Sequence, residues 1–110
     1  MIVHFKDWKC YALGDYYANG RKAISLVDVI DGEPIATATV NLPDIDLPND
    51  TVFVKDYSEN EGMLNALVNA QIVKPFVLST FKSGYIYISA FILTKDAISS
   101  LWDSDKTVEP

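Results

Sequence analysis

The sequence predicts an α+β fold: a single domain, an antiparallel sheet of about five to six strands with one main helix packed on one face. Three observations predict it. Turn signals divide the chain into short segments, several of those segments alternate in hydrophobicity with period two, and the stretch Ser58 to Ala70 opens on a helix-start pattern. At 110 residues, 49% hydrophobic and 22% charged, the chain is long enough to bury a core without disulfides or a structural metal. Residues 1–102 read as one domain and 103–110 as a polar C-terminal tail.

The elements follow in order. Tyr17-Ala-Asn-Gly20 carries the Asn-Gly hairpin signal and should join a strand over Trp8 to Asp15 to a second over Lys22 to Ile30. Asp31-Gly-Glu-Pro34 is the next turn, followed by a strand over Ile35 to Leu42. If Ile30 pairs with Ile35, then Ala23, Ser25, Val27, Val29, Ala36, Ala38, Val40 and Leu42 share one small, apolar face suited to a packed helix. Pro43 and Pro48 frame an acidic loop, and a short strand runs from Thr51 to Lys55.

Ser58-Glu-Asn-Glu61 reads as a capping box. The Ser58 hydroxyl would accept from the Glu61 amide, and the helix would run to about Ala70 with Met63, Leu64, Leu67 and Val68 on one side. Phe76 to Thr80 reads as a strand and Lys82-Ser-Gly84 as a turn. Tyr85 to Leu93 is apolar on both alternating faces, the mark of a central strand. Thr94 would cap a last short helix, Lys95 to Trp102.

Charge and composition exclude several classes. Lys6, Asp7 and Lys9 interrupt what would have to be the apolar core of a signal peptide. The run Tyr85 to Leu93 is about half the ~20 residues that a membrane helix requires. With Cys10 as the one cysteine there is no internal disulfide, and a cytoplasmic setting with no membrane association is expected. The net charge is −6, but between Asp28 and Glu61 nine acids face one base, Lys55, a balance of −8 that leaves +2 for the rest. That distribution argues against direct nucleic-acid binding and suits a protein partner with a basic surface.

Catalytic signals are weak. His4 is the single histidine, no Gly-x-Ser-x-Gly elbow is present, and no zinc-type ligand spacing occurs. Asp44, Asp46 and Asp50 lie close in sequence, but the EF-hand pattern fails. Pro48 occupies a ligand position, the sixth-position glycine is missing and Lys55 stands at the twelfth. No cofactor and no enzymatic activity are expected, with a metal-dependent hydrolase as a minor alternative. The six tyrosines offer either core and rim packing, which their strand settings favour, or an aromatic contact surface.

Three segments can be read together: Tyr17-Ala-Asn-Gly-Arg21, Asp31-Gly-Glu-Pro-Ile-Ala-Thr-Ala-Thr-Val-Asn-Leu-Pro43 and Val52-Phe-Val-Lys-Asp-Tyr-Ser-Glu-Asn-Glu-Gly-Met-Leu64. Across about Trp8 to Val73 the chain resembles an uncharacterised family of roughly 100-residue proteins carried on conjugative elements, plasmids and prophages of Firmicutes and other gut bacteria. The resemblance implies an accessory role, such as inhibition of a host defence nuclease of the CRISPR or restriction type. The expected contact residues are Asp28, Asp31, Glu33, Asp44, Asp46 and Asp50. The alternative is a structural or regulatory accessory of conjugation that self-associates through Tyr85 to Leu93.

Overall fold

The structure, a computed structural model, describes residues 1–103. Its first sheet grows by successive hairpins: β1 (Ile2–Phe5), β2 (Trp8–Tyr16), β3 (Lys22–Asp28) and β4 (Pro34–Thr37) pair antiparallel in chain order. The second sheet holds β5 (Thr39–Val40), β6 (Thr51–Val54), β7 (Val73–Ser83) and β8 (Ile86–Leu93) in the order β5-β6-β8-β7. Two short helices, α1 (Met63–Asn69) and α2 (Lys95–Leu101), complete the described fold. The α+β class holds. The single sheet under one main helix does not, and two four-stranded sheets replace it. Of the expected tail, all but Asp103 lies outside the described residues.

The second sheet exists because the segment expected as one strand, Ile35 to Leu42, divides at Ala38. The Ala38 amide donates to Ile24 O at 2.8 Å in the first sheet, while its carbonyl accepts from the Lys55 amide at 2.9 Å beside the second. A strand whose two halves bond different neighbours has to leave one sheet for the other. The Thr39 hydroxyl reinforces the crossing by accepting from the Ile24 amide at 3.2 Å and pairing with the Tyr17 hydroxyl at 2.8 Å. Burial pushes the Tyr17 phenol up and the Thr39 contact partly offsets it.

The β3–β4 register also differs from expectation. The hairpin closes early, where the Asp28 amide donates to Glu33 O and the Gly32 amide to Asp28 O, so Ile30 sits 88% exposed in the turn. Leu26 pairs with Ala36 and Ser25 with Thr37, and a bulge follows Leu26. The change of parity turns the faces over, because side chains alternate with period two. Ile24 and Leu26 enter the core in place of Ser25 and Val27.

The helix start is corrected as well. Ser58–Asn60 forms a 3-10 turn, Ser58 itself adopts φ 55°, and no side-chain cap bond forms there. Gly62, at φ 96°, breaks the path before α1 begins at Met63, a backbone geometry that glycine adopts at little cost. The capping acceptor is Asp56, whose Oδ1 takes the amides of Gly62 at 3.1 Å and Leu64 at 2.9 Å. At α2 the expectation holds: the Thr94 hydroxyl accepts from the Ala97 amide at 3.1 Å.

Between the sheets lies the main core, in which Val3, Phe5, Cys10, Ile24 and Leu26 meet Val52, Val54, Phe91 and Leu93, with Met63 and Leu67 of α1. Gly14 lets α2 approach β2, since a Cβ there would stand 2.4 Å from Leu101 O. Trp102 closes this contact by donating Nε1–H to Asp15 O at 2.9 Å. A second core lies on the far face of the second sheet, where Phe53, Ile88 and Ala90 are covered by Leu42, Ile45, Leu47 and Tyr57. Among the described residues no helix is long and apolar enough to cross a membrane.

Candidate functional site

The six expected contact acids do not form one surface. Asp28, Asp31 and Glu33 stand at the β3–β4 turn, whereas the loop carrying Asp44, Asp46 and Asp50 docks beside the β2–β3 turn at the other end of β3. Seven strand residues separate the ends, about 20 Å at the usual rise. Two of these acids also serve the backbone locally, and a third takes a neighbouring hydroxyl. Asp28 Oδ1 accepts from the Ile30 amide at 2.9 Å, Asp31 Oδ1 from the Glu33 amide at 3.0 Å and Asp50 Oδ1 from the Thr51 hydroxyl at 3.2 Å.

Leu42, Ile45 and Leu47 are interspersed with the acids and turn inward onto the cluster of Phe53, Ile88 and Ala90, so the proline-framed loop is the lid of the second core. Arg21 fastens it: one guanidinium nitrogen donates to Leu42 O at 2.7 Å and another to Ile45 O. Lys22 Nζ donates to Asn49 O at 3.0 Å. These cations grip carbonyls, which leaves the Asp44 and Asp46 side chains exposed. Among the described residues no three His, Cys, Asp or Glu side chains converge in a metal-holding group.

The candidate nucleophile and base are likewise apart. Val3 pairs with Cys10 in the core and His4 with Lys9 on the next residue pair, so His4 and Cys10 point to opposite faces of the sheet. Burial, and next the charge of Asp28, push the Cys10 thiol up, away from the thiolate. Lys55 donates to Glu59 at 2.6 Å, the one ion pair within 4 Å among the described residues. That hydrogen bond raises the ammonium and lowers the carboxyl.

A different region gathers exposed apolar groups. β8 is interior, between β6 and β7, and its pairing with β6 ends at Ser89, so residues 81–88 continue as a two-stranded arm. Gly84 and Tyr85 form its tip, which shifts the expected Lys82–Gly84 turn by one residue. Phe76 (73%), Val77, Leu78, Tyr85 and Tyr87 (69%) are exposed along β7 and the arm. Four tyrosines, Tyr11, Tyr16, Tyr85 and Tyr87, stand open to solvent in place of the packing expected of them.

A groove of about 200 Å3 runs at the base of the arm, between Val77, Tyr87 and Phe91 on one side and Asp56, Tyr57 and Leu64 on the other. Among the described residues the outer edge of β7 has no partner strand, and no backbone hydrogen bond reaches residues 74–83 from outside the β7–β8 ladder. Sequence reading divided this region into a five-residue strand and a turn. The signal for it is Phe76-Val-Leu78, an apolar run whose side chains stand exposed beyond the buried Val73.

Compared with known proteins, the chain matches no family model, no curated protein and no solved structure.

Proposed function

We propose that this chain is a non-enzymatic protein-binding module, an accessory protein of the kind mobile elements carry, which meets its partner through β7 and the β7–β8 arm. One observation carries the reading: Phe76, Val77, Leu78, Tyr85 and Tyr87 are exposed together along β7 and the β7–β8 arm. Large apolar and aromatic side chains supply most of the energy in protein contacts, and a cluster of them at a sheet edge marks an interaction surface. The separated nucleophile and base, and the scattered carboxylates, give catalysis no comparable support.

The test is quantitative capture from host extract with three forms of the protein. Phe76→Ser combined with Leu78→Ser should lose the partner, while Asp44→Asn combined with Asp46→Asn should keep it. Retention by the first pair and loss by the second would overturn the reading.

A second reading keeps the acidic surface. Exposed Asp44 and Asp46, which make no ion pair within 4 Å among the described residues, suit a basic protein surface, such as that of a host nuclease. Inhibition of such a nuclease that weakens steeply with salt and disappears in the Asp44→Asn, Asp46→Asn form would favour it.

A further inference from the structure

Building on the arm reading, we infer that β7 takes an added strand from its partner, an extended segment with an apolar centre and acidic residues toward its ends. β7 is eleven residues long and forms the edge of its sheet, with one row of backbone groups turned away from β8. Natural edges of this length are normally blunted by charge, proline, a β-bulge or a cover, and β7 carries Pro75 and register irregularities between Val73 and Val77 and between Val77 and Ser79. Here the segment Phe76–Thr80 contains neither charge nor proline, and Pro75 and Lys74 lie before it and Lys82 beyond it. An extended peptide can therefore satisfy the free backbone groups and set alternate side chains on Phe76, Val77 and Leu78.

Charge selects the occupant. In a protein of net charge −6, the stretch from Val73 to Ile88 holds two lysines and no acid. Neither lysine makes an ion pair within 4 Å among the described residues. A second copy of the chain fits poorly: antiparallel self-pairing of the apolar run, centred on Leu78, sets Lys74 against Lys82 at both ends, and like charges directly opposite destabilise a ladder. An incoming strand with acids near its ends meets the same lysines favourably.

The probe is the nine-residue peptide acetyl-Glu-Thr-Val-Thr-Val-Thr-Val-Thr-Glu-amide, whose end residues fall opposite Lys82 and Lys74 in an antiparallel pairing, compared with its Lys-ended counterpart and with a form N-methylated at alternate residues. Binding is read by fluorescence anisotropy and by hydrogen exchange of the β7 amides. The Glu-ended peptide should protect outward-facing amides between Lys74 and Lys82. The Lys-ended peptide should bind about ten-fold more weakly, as two exposed charge contacts turn from attractive to repulsive, and N-methylation should abolish binding. In the Lys74→Glu, Lys82→Glu protein the preference should reverse.

Equal binding of the two peptides, no binding of either, or protection confined to other elements would overturn strand addition, as would sedimentation showing a dimer joined at β7. The arm reading fails separately, if Phe76→Ser with Leu78→Ser leaves capture of the natural partner intact. Loss of capture in that variant, alongside failure of the peptides, would overturn strand addition alone.

Discussion

The proline-framed loop and the β7–β8 arm are neighbours with opposite designs. The loop looks like a surface feature in sequence, rich in carboxylates, yet Leu42, Ile45 and Leu47 fasten it over Phe53 and Ile88. The arm looks like core in sequence, a run of apolar and aromatic residues, yet Phe76, Tyr85 and Tyr87 are open to water. The loop faces inward because its apolar residues find a sheet face to cover. β7 faces outward because the described residues supply no further layer or strand beyond it. Charge and apolarity therefore fail to identify which region is structural and which is available to a partner.

Truncation under the loop should have the largest effect. Phe53→Ala should cost about 3–5 kcal/mol, seen as a fall in the denaturation midpoint, because it empties a site beneath a lid that cannot fully collapse. An equal loss from Phe76→Ala would contradict the contrast, since an exposed position should stay within about 0.5 kcal/mol.

Removing the fastening is the next largest effect. Arg21→Ala should cost about 1.5–3 kcal/mol by withdrawing a charged donor from two carbonyls, with faster hydrogen exchange in residues 42–47. Arg21→Lys should restore only part of it, as one ammonium cannot span both acceptors equally well. Asp56→Ala should cost about 1 kcal/mol through the lost α1 cap, whereas Ser58→Ala should change little. Thermal or urea unfolding of the two variants measures the difference.

The smallest effects concern exposed charge. Asp44→Asn with Asp46→Asn should shift stability by no more than about 0.5 kcal/mol, consistent with side chains that leave the work of the loop to its apolar residues. The Lys55–Glu59 pair adds a slight pH dependence. Its hydrogen bond holds the Glu59 carboxyl below the ordinary glutamate range, so its contribution is present above that range and fades as pH falls through and below it. Glu59→Gln should make the acid limb of a stability curve slightly shallower.

Local chemistry was legible where one short segment contains all the partners. The Asn-Gly turn closes through the Gly20 amide onto Tyr17 O, and Thr94 caps α2 with its own hydroxyl. The capping box failed because two candidates competed for α1, and Asp56, two residues upstream of Ser58, captured the amides once Gly62 broke the path. The candidate acids were legible as residues but not as a site, since their separation along β3 depends on where the loop docks.

By itself the sequence determined the α+β class, most strand and turn positions, the interior place of β8 and the uneven charge, because periodicity and turn chemistry act over a few residues. Only the tertiary structure decided that there are two sheets, that the acidic loop is a lid and that β7 is an open edge. Those outcomes depend on which distant backbone groups meet, as when Ala38 bonds Ile24 on one side and Lys55 on the other, and no local pattern encodes such a choice.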